Sequence, residues 1–82
     1  MSGIEPRAIV EINQTASRYT SSIVIRVDNR SIDAKSILGL SFTLFGSQAY
    51  KLEIYGPDAE EAKAAMTEVF EKHGLSVEVL EG

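Results

Sequence analysis

The chain has no cysteine among its 82 residues and no long run of apolar residues. Without cysteine there can be no disulfide, no thiolate nucleophile and no cysteine-ligated metal, so a packed core alone must hold the fold. No apolar run approaches the roughly 20 residues that a membrane-spanning helix requires. Residues 1–3 also lack the charged and then apolar layout of a signal peptide. We therefore expect a cytoplasmic protein that does not engage a membrane.

Positive charge is scarce as well. Lys and Arg number 8 against 12 Asp and Glu, which gives a formal net charge of −4. This balance disfavours non-specific attraction to nucleic acid. The length fits one domain over residues 1–82, and a chain of this size buries only a little over roughly 60% of its unfolded surface, which leaves little room for an enclosed active site. The composition, 44% apolar and 24% charged, is that of a folded globular protein.

Hydrophobic periodicity and turn residues predict seven elements. In chain order we expect a helix over about 6–19, an antiparallel hairpin with strands near 23–28 and 31–34, a short helix over about 36–40, a strand over 49–55, a helix that Asp58 caps and that runs to about His73, and a strand over 75–80. Residues 41–45 are ambiguous, and we interpret them as mostly helix or loop. Two long helices cover only one face of so small a sheet, which predicts an α+β, two-layer, open-faced sandwich with an antiparallel sheet.

Ser36 lies between a polar strand end and a short apolar segment. Its position is that of a helix N-cap, where the hydroxyl accepts a backbone N–H from the following turn. The apolar residues that follow it, Ile37, Leu38 and Leu40, either pack into the core or form a small docking patch. From the residues alone, a structural cap is the simplest interpretation of Ser36.

The remaining titratable residues offer little chemistry. His73 is the only histidine, and near the end of the last helix a protonated imidazole complements the helix dipole. Asp58, Glu60 and Glu61 form an acidic cluster, but their place in the first turn of that helix explains them. We expect no metal site, no cofactor and no catalytic residue.

Three segments together carry a resemblance to a known family. Residues 33–40 (Asp-Ala-Lys-Ser-Ile-Leu-Gly-Leu), read with 14–17 (Gln-Thr-Ala-Ser) and 56–62 (Gly-Pro-Asp-Ala-Glu-Glu-Ala), resemble the HPr family of the bacterial sugar phosphotransferase system. The similarity runs from about Pro6 to Gly74. It implies an HPr-like fold, and it implies that Ser36 corresponds to the regulatory serine that HPr kinase/phosphorylase phosphorylates.

The chain also departs from the family pattern. HPr proteins open with an edge strand and a Gly-Leu-His-Ala-Arg-Pro motif whose histidine carries the phosphoryl group. Here that strand is missing, Glu5 stands at the place of the histidine, Arg7 matches the arginine of the motif, and Ala8 replaces its proline. In lacking the histidine, the chain resembles the catabolite-repression HPr-like proteins.

The resemblance implies a non-enzymatic regulatory or interaction domain. It would bind protein partners through Ile37, Leu38, Leu40 and Arg7, the partner being an HPr kinase/phosphorylase-like enzyme or a transcriptional regulator. One alternative is part of a phosphocarrier whose strand and histidine are supplied elsewhere. Another is a plain structural α+β module in which Ser36 is only a cap.

The missing first strand leaves one sheet edge to be explained. In the family fold that strand lies beside the strand predicted here over 49–55, so its loss would expose unpaired backbone groups. We expect residues 75–80 to cover this edge within the chain, or by strand exchange between two molecules. The protein would accordingly be a monomer or a strand-exchanged dimer.

Overall fold

The computed structural model describes residues 5–43 and 49–80. Within these two ranges the chain forms three helices and four strands, in the order that the periodicity predicts. The elements are α1 (Pro6–Ser17), β1 (Ser22–Val27), β2 (Arg30–Asp33), α2 (Ile37–Thr43), β3 (Tyr50–Tyr55), α3 (Ala59–Lys72) and β4 (Val77–Val79). None of the helices in the described ranges is long and apolar enough to cross a bilayer.

The four strands form one sheet in the order β2-β1-β3-β4. β1 pairs antiparallel with both β2 and β3, whereas β3 and β4 run parallel. The prediction of a wholly antiparallel sheet is therefore wrong at this edge. The reason is the connection: α3 joins β3 to β4, and a helical crossover between neighbouring strands makes the second strand run in the direction of the first. The prediction that the last strand pairs within the chain beside β3 is confirmed.

One face of the sheet and the helices form the core. Alternate residues of β1 and β3 point to the helices, and α1 packs against α2 and α3 while α3 also contacts β3 and β4. The buried apolar cluster consists of Ile12, Ala16, Ile23, Ile25, Val27, Ala34, Leu40, Tyr50, Leu52, Ile54, Ala62, Met66, Val69, Phe70 and Leu75. Burying a side chain such as Ile, Leu or Phe stabilises the fold by about 1.5–3 kcal/mol. The predicted two-layer, open-faced α+β sandwich is confirmed.

Several element ends differ from the prediction. α1 ends at Ser17 rather than near Tyr19, because the N–H groups of Arg18 and Tyr19 donate to Thr15 and Ala16, three residues back, as in a tightened last turn. α2 continues to Thr43, which assigns the first part of the ambiguous segment 41–45 to helix; residues 44 and 45 lie outside the described residues. β4 is shorter than predicted, with three residues in place of six.

Asp58 holds the N-cap position of α3, as predicted, but within the described chain its side chain makes no capping hydrogen bond. Its carboxylate instead accepts hydrogen bonds from Thr20 and Ser21, which precede β1. The two backbone N–H groups donate at 2.9 Å each, and both hydroxyls donate as well. These bonds, that of the Ser21 hydroxyl foremost, lower the pKa of Asp58 to about 2. The cap residue thus ties the α1–β1 connection to the start of α3.

Candidate functional site

The segment that leads into α2 is fixed by hydrogen bonds on both sides. Asp33 organises it: its side chain accepts the N–H of Lys35 at 2.9 Å, and its carbonyl accepts the N–H of Ser36 at 2.9 Å. Ala34 is fully buried, and its N–H donates to the carbonyl of Ile23 on β1 at 2.9 Å. Such an Asx turn holds the backbone in a single conformation. Residues 33–35, which we call the base of this segment, therefore hold the backbone of Ser36 in place.

Two side chains connect this base to α1. The Lys35 ammonium donates to the carbonyl of Tyr19 at 2.7 Å, and the Asn13 amide donates to the carbonyl of Ala34 at 3.4 Å. The Tyr19 carbonyl lies just past the end of α1, where helices leave acceptors without a helical partner. The residues ahead of Ser36 are consequently anchored to both layers of the sandwich.

Ser36 caps α2 with its side chain, as the sequence predicts. Its hydroxyl oxygen accepts the N–H of Gly39 at 3.2 Å, and its carbonyl accepts the N–H of Leu40 at 3.1 Å. The residue is exposed, so the hydroxyl combines a structural role with access from solvent. A cap of this kind contributes about 1 kcal/mol to helix stability.

The three apolar residues after Ser36 divide into two groups. Leu38 is 70% exposed and Ile37 is 40% exposed, whereas Leu40 is fully buried in the core cluster. Leu40 faces inward because the helical repeat turns it away from Ile37 and Leu38 and toward the sheet. The prediction that Leu40 belongs to a docking patch is therefore wrong. Ile37 and Leu38 remain as the exposed apolar residues of this helix.

The N-terminal part of α1 is also exposed. Glu5 is its N-cap residue: its carbonyl accepts the N–H groups of Ala8 at 2.9 Å and Ile9 at 3.3 Å, but its carboxylate makes no capping bond within the described residues. Arg7 is exposed, and Val10, one turn further on, is 44% exposed. Sequence reasoning missed Val10. Its position next to Ile9, off the buried three- and four-residue spacing, is the signal that could have found it.

His73 lies in a different place, at the end of α3. Its Nε2 is 2.8 Å from one carboxylate oxygen of Glu11 on α1, and Lys72 donates to the other oxygen at 2.6 Å. The hydrogen bond from Lys72, followed by that of His73, lowers the pKa of Glu11 below its ordinary value. This carboxylate therefore holds the end of α3 to α1. Within the described residues, no three His, Asp or Glu side chains group as a metal site.

Comparisons with known proteins find similar sequences over most of the chain. A family model described as the PTS HPr component phosphorylation site matches residues 1–72. The HPr-like protein Crh of Halalkalibacterium halodurans is 37% identical over 71 residues, which are 85% of this chain and 84% of that protein. The phosphocarrier protein HPr of Cupriavidus necator is 34% identical over 65 residues, 78% of this chain and 73% of that protein.

A solved structure shows the same fold. The crystal structure of Crh from Bacillus subtilis superposes with a TM-score of 0.76 at 28% identity, and the match covers 98% of this chain and 87% of that one. That structure is described as an intertwined dimer with a swapping domain. The chain is thus similar, over most of its length, both to a phosphocarrier and to a Crh protein.

Proposed function

Because the chain belongs to the HPr family of the phosphotransferase system, we propose that it is a regulatory or protein-interaction domain of that family, spanning residues 1–82, without histidine phosphocarrier activity. The observation that carries this proposal is Glu5. It occupies the N-cap of α1 next to an exposed Arg7, and by the resemblance of the sequence it stands at the place of the family histidine. The domain acts by binding, without catalysis, in the cytoplasm, and it needs no cofactor.

A carboxylate at this position does not replace an imidazole. A phosphoryl carrier of this type needs a nitrogen nucleophile that is substantially neutral near pH 7, whereas a phosphorylated glutamate is an acyl phosphate of different reactivity. His73 offers no substitute at the same place, since it lies at the other long helix and its Nε2 is engaged with Glu11. The identity of Glu5 and the position of His73 both support the proposal that no carrier histidine lies at the start of α1.

Ser36 is the proposed regulatory phosphorylation site. The hydroxyl is exposed, and the bonds around Asp33 and Lys35 hold its backbone in place. A phosphate would add about −1.5 to −2 charges and three acceptor oxygens, which can accept the N–H bond that the hydroxyl accepts now. Phosphorylation of Ser36 would change the charge of the surface that a partner contacts, and it would leave the domain folded.

The partner surface that we propose consists of Ile37, Leu38 and Arg7. The two apolar side chains supply exposed area on α2, and the guanidinium on α1 supplies a charged group that pairs with carboxylate or phosphate. An HPr kinase/phosphorylase-like enzyme or a transcriptional regulator is the proposed partner.

The test uses two labelling reactions on the intact protein. One contains phosphoenolpyruvate and enzyme I, the other contains ATP and HPr kinase/phosphorylase, and mass spectrometry locates the phosphate. We expect label on Ser36 in the second reaction only. Ser36→Ala should abolish it, while Ser31→Ala, which removes another exposed serine on β2, should not. Phosphohistidine in the first reaction would overturn the proposal, and no label in either reaction would leave a structural module.

The phosphocarrier alternative meets an obstacle in the fold. A carrier strand supplied from elsewhere would have to pair beside β3, and β4 already pairs there. Similarity to the phosphocarrier of Cupriavidus necator keeps this alternative in the test, as the phosphohistidine outcome of the first reaction.

A further inference from the structure

The face of the sheet that is turned away from the helices carries a pair of like charges. Arg26 on β1 and Lys51 on β3 alternate with the buried residues of their strands, so both side chains lie on this outer face. They are directly opposite each other, and both are exposed. Side chains so placed have Cβ atoms roughly 4.5–5.5 Å apart, and two like charges at that distance repel each other. The pair therefore favours an anion bound between the two cations.

The carboxylates nearby neutralise this pair only in part. One nitrogen of the Arg26 guanidinium donates to Glu53 at 3.2 Å, which leaves most of the N–H donors of the group available. Glu78 on β4 lies opposite Lys51, but the Lys51 ammonium forms no hydrogen bond or ion pair with any residue in the ranges 5–43 and 49–80. Both cations thus keep donors that a ligand can use.

A carboxylate borders the same pair. Asp28 follows β1 in the turn to β2, and its φ of +56° lies in the left-handed region, which glycine adopts at lower cost. Its side chain is exposed, and it is joined to no other part of the described chain by a hydrogen bond or ion pair. Because backbone strain of this kind concentrates at functional sites, a carboxylate at this position indicates a role beyond the turn.

The three charged side chains of Arg26, Asp28 and Lys51 line one shallow cavity of about 390 Å³. Ala49, just before β3, and Leu80, just after β4, also line it, and we call these two residues the apolar wall. The volume is within the range of small-molecule sites. The cavity therefore offers two cations, one carboxylate and an apolar wall to a single small ligand.

We propose that this cavity binds a free α-amino acid. The α-carboxylate lies between Arg26 and Lys51, the α-ammonium donates to Asp28, and the side chain lies against the apolar wall. A simple anion such as phosphate would satisfy the two cations but would be repelled by the carboxylate of Asp28, whereas a zwitterion carries the positive charge that this carboxylate attracts. Apolar amino acids are favoured over glycine because they bury area against the wall. The site goes beyond the proposed function, since it shares no residue with the partner surface on α1 and α2.

An NMR titration of the intact protein with L-leucine tests the site. We expect the amide signals of residues 26–28, 49–51 and 80 to shift, with a dissociation constant in the millimolar range because exposed ion pairs are weak. Isocaproate keeps the carboxylate and the side chain of leucine but lacks the ammonium, so it should bind more weakly. Equal affinity for the two ligands would reduce the cavity to an anion site and overturn the proposal. Unchanged amide signals at these residues would overturn it as well.

Two substitutions separate the contacts of the ligand. Asp28→Asn keeps the turn, because Asn also tolerates the left-handed conformation. It should weaken the binding of L-leucine about threefold, as expected for the loss of one exposed ion pair, and it should not weaken the binding of isocaproate. Lys51→Gln removes a contact of the carboxylate, so it should weaken the binding of both ligands by a similar factor.

Arg30→Gln is the matched control for Lys51→Gln. It removes the same charge from an exposed residue, but Arg30 lies opposite Val27, whose side chain faces the helices, and so it belongs to the other face of the sheet. At physiological ionic strength, where distant exposed charges are screened, Arg30→Gln should leave both affinities unchanged. An equal weakening by Lys51→Gln and Arg30→Gln would show an effect of net charge alone and would contradict the proposed site.

Discussion

Asp58 and Ser21 are 37 positions apart in the chain, and the carboxylate of the first accepts both the backbone N–H and the hydroxyl of the second. Ser21 is buried, at 1% exposure, so this pair joins the turn before β1 to the turn before α3 at the edge of the core. Gly56 lies against the same serine. Two connections that carry no regular structure are thereby fixed to each other.

Asp58→Asn should reduce stability and change its dependence on pH. The pKa of Asp58 is about 2 in the folded protein against 3.8 for the free group, so its contribution is fully present above about pH 3.8 and is lost as the pH falls toward 2. The amide of the variant does not titrate in this range. We expect a lower urea midpoint at neutral pH and a smaller loss of stability between pH 4 and pH 2. Urea unfolding at several pH values measures both effects; an unchanged pH dependence would show that the carboxylate makes no such contribution.

Gly56→Ala should be severely destabilising. The residue has φ of +147°, and a Cβ built on it lies 2.5 Å from the Ser21 hydroxyl oxygen and 2.6 Å from the Ser21 Cα. Strain of the backbone alone costs about 1–3 kcal/mol, and the overlap with backbone atoms adds to it. Gly74→Ala provides the matched control, because there the added methyl group meets no atom within 4 Å. Thermal unfolding should rank Gly56→Ala well below Gly74→Ala, and the reverse order would be inconsistent with this packing.

The order of the elements and the layer architecture could be predicted because the sequence has clear periods. Ile23, Ile25 and Val27 alternate as a half-buried strand must, and α3 ends at Lys72, next to the predicted end at about His73. The direction of β4 could not be read from its residues, since alternation is the same in parallel and antiparallel strands. It follows from α3, the crossover that joins β3 to β4.

The candidate site was predicted in part, for a related reason. The capping role of Ser36 is local and was predicted from its neighbours, and the Ser36 hydroxyl bond to Gly39 confirms it. The burial of Leu40 and the hydrogen bonds of Asp58 to residues distant in the sequence depend on which elements meet in space. Because α2 is short, the sequence 37–40, with Ile37, Leu38 and Leu40 apolar, does not reveal which of these side chains faces the sheet.

Leu40→Ala and Leu38→Ala make a matched pair of substitutions two residues apart. Leu40 is fully buried, so its truncation should cost about 2–5 kcal/mol of unfolding free energy. Leu38 is 70% exposed, and its truncation should stay within about 0.5 kcal/mol of the native protein. Urea denaturation measures both. If Leu38 belongs to the partner surface, Leu38→Ala should weaken partner binding while folding is retained; equal destabilisation by the two variants would place Leu38 in the core instead.

The two roles of Ser36 can be separated by comparing Ser36→Ala with Ser36→Asp. Alanine removes the acceptor for the Gly39 N–H, and the loss of a cap should lower the unfolding free energy by about 1 kcal/mol. Aspartate keeps an acceptor, because Asp caps as well as Ser, so this variant should unfold close to the native protein. Neither variant can be phosphorylated on a hydroxyl at position 36.

A partner that recognises the phosphorylated form should therefore lose phosphorylation-dependent binding to both variants, even though only Ser36→Ala is destabilised. Binding measured after the ATP reaction, together with urea denaturation, separates the outcomes: a loss that follows stability assigns Ser36 to capping alone, and a loss common to both variants assigns it to recognition.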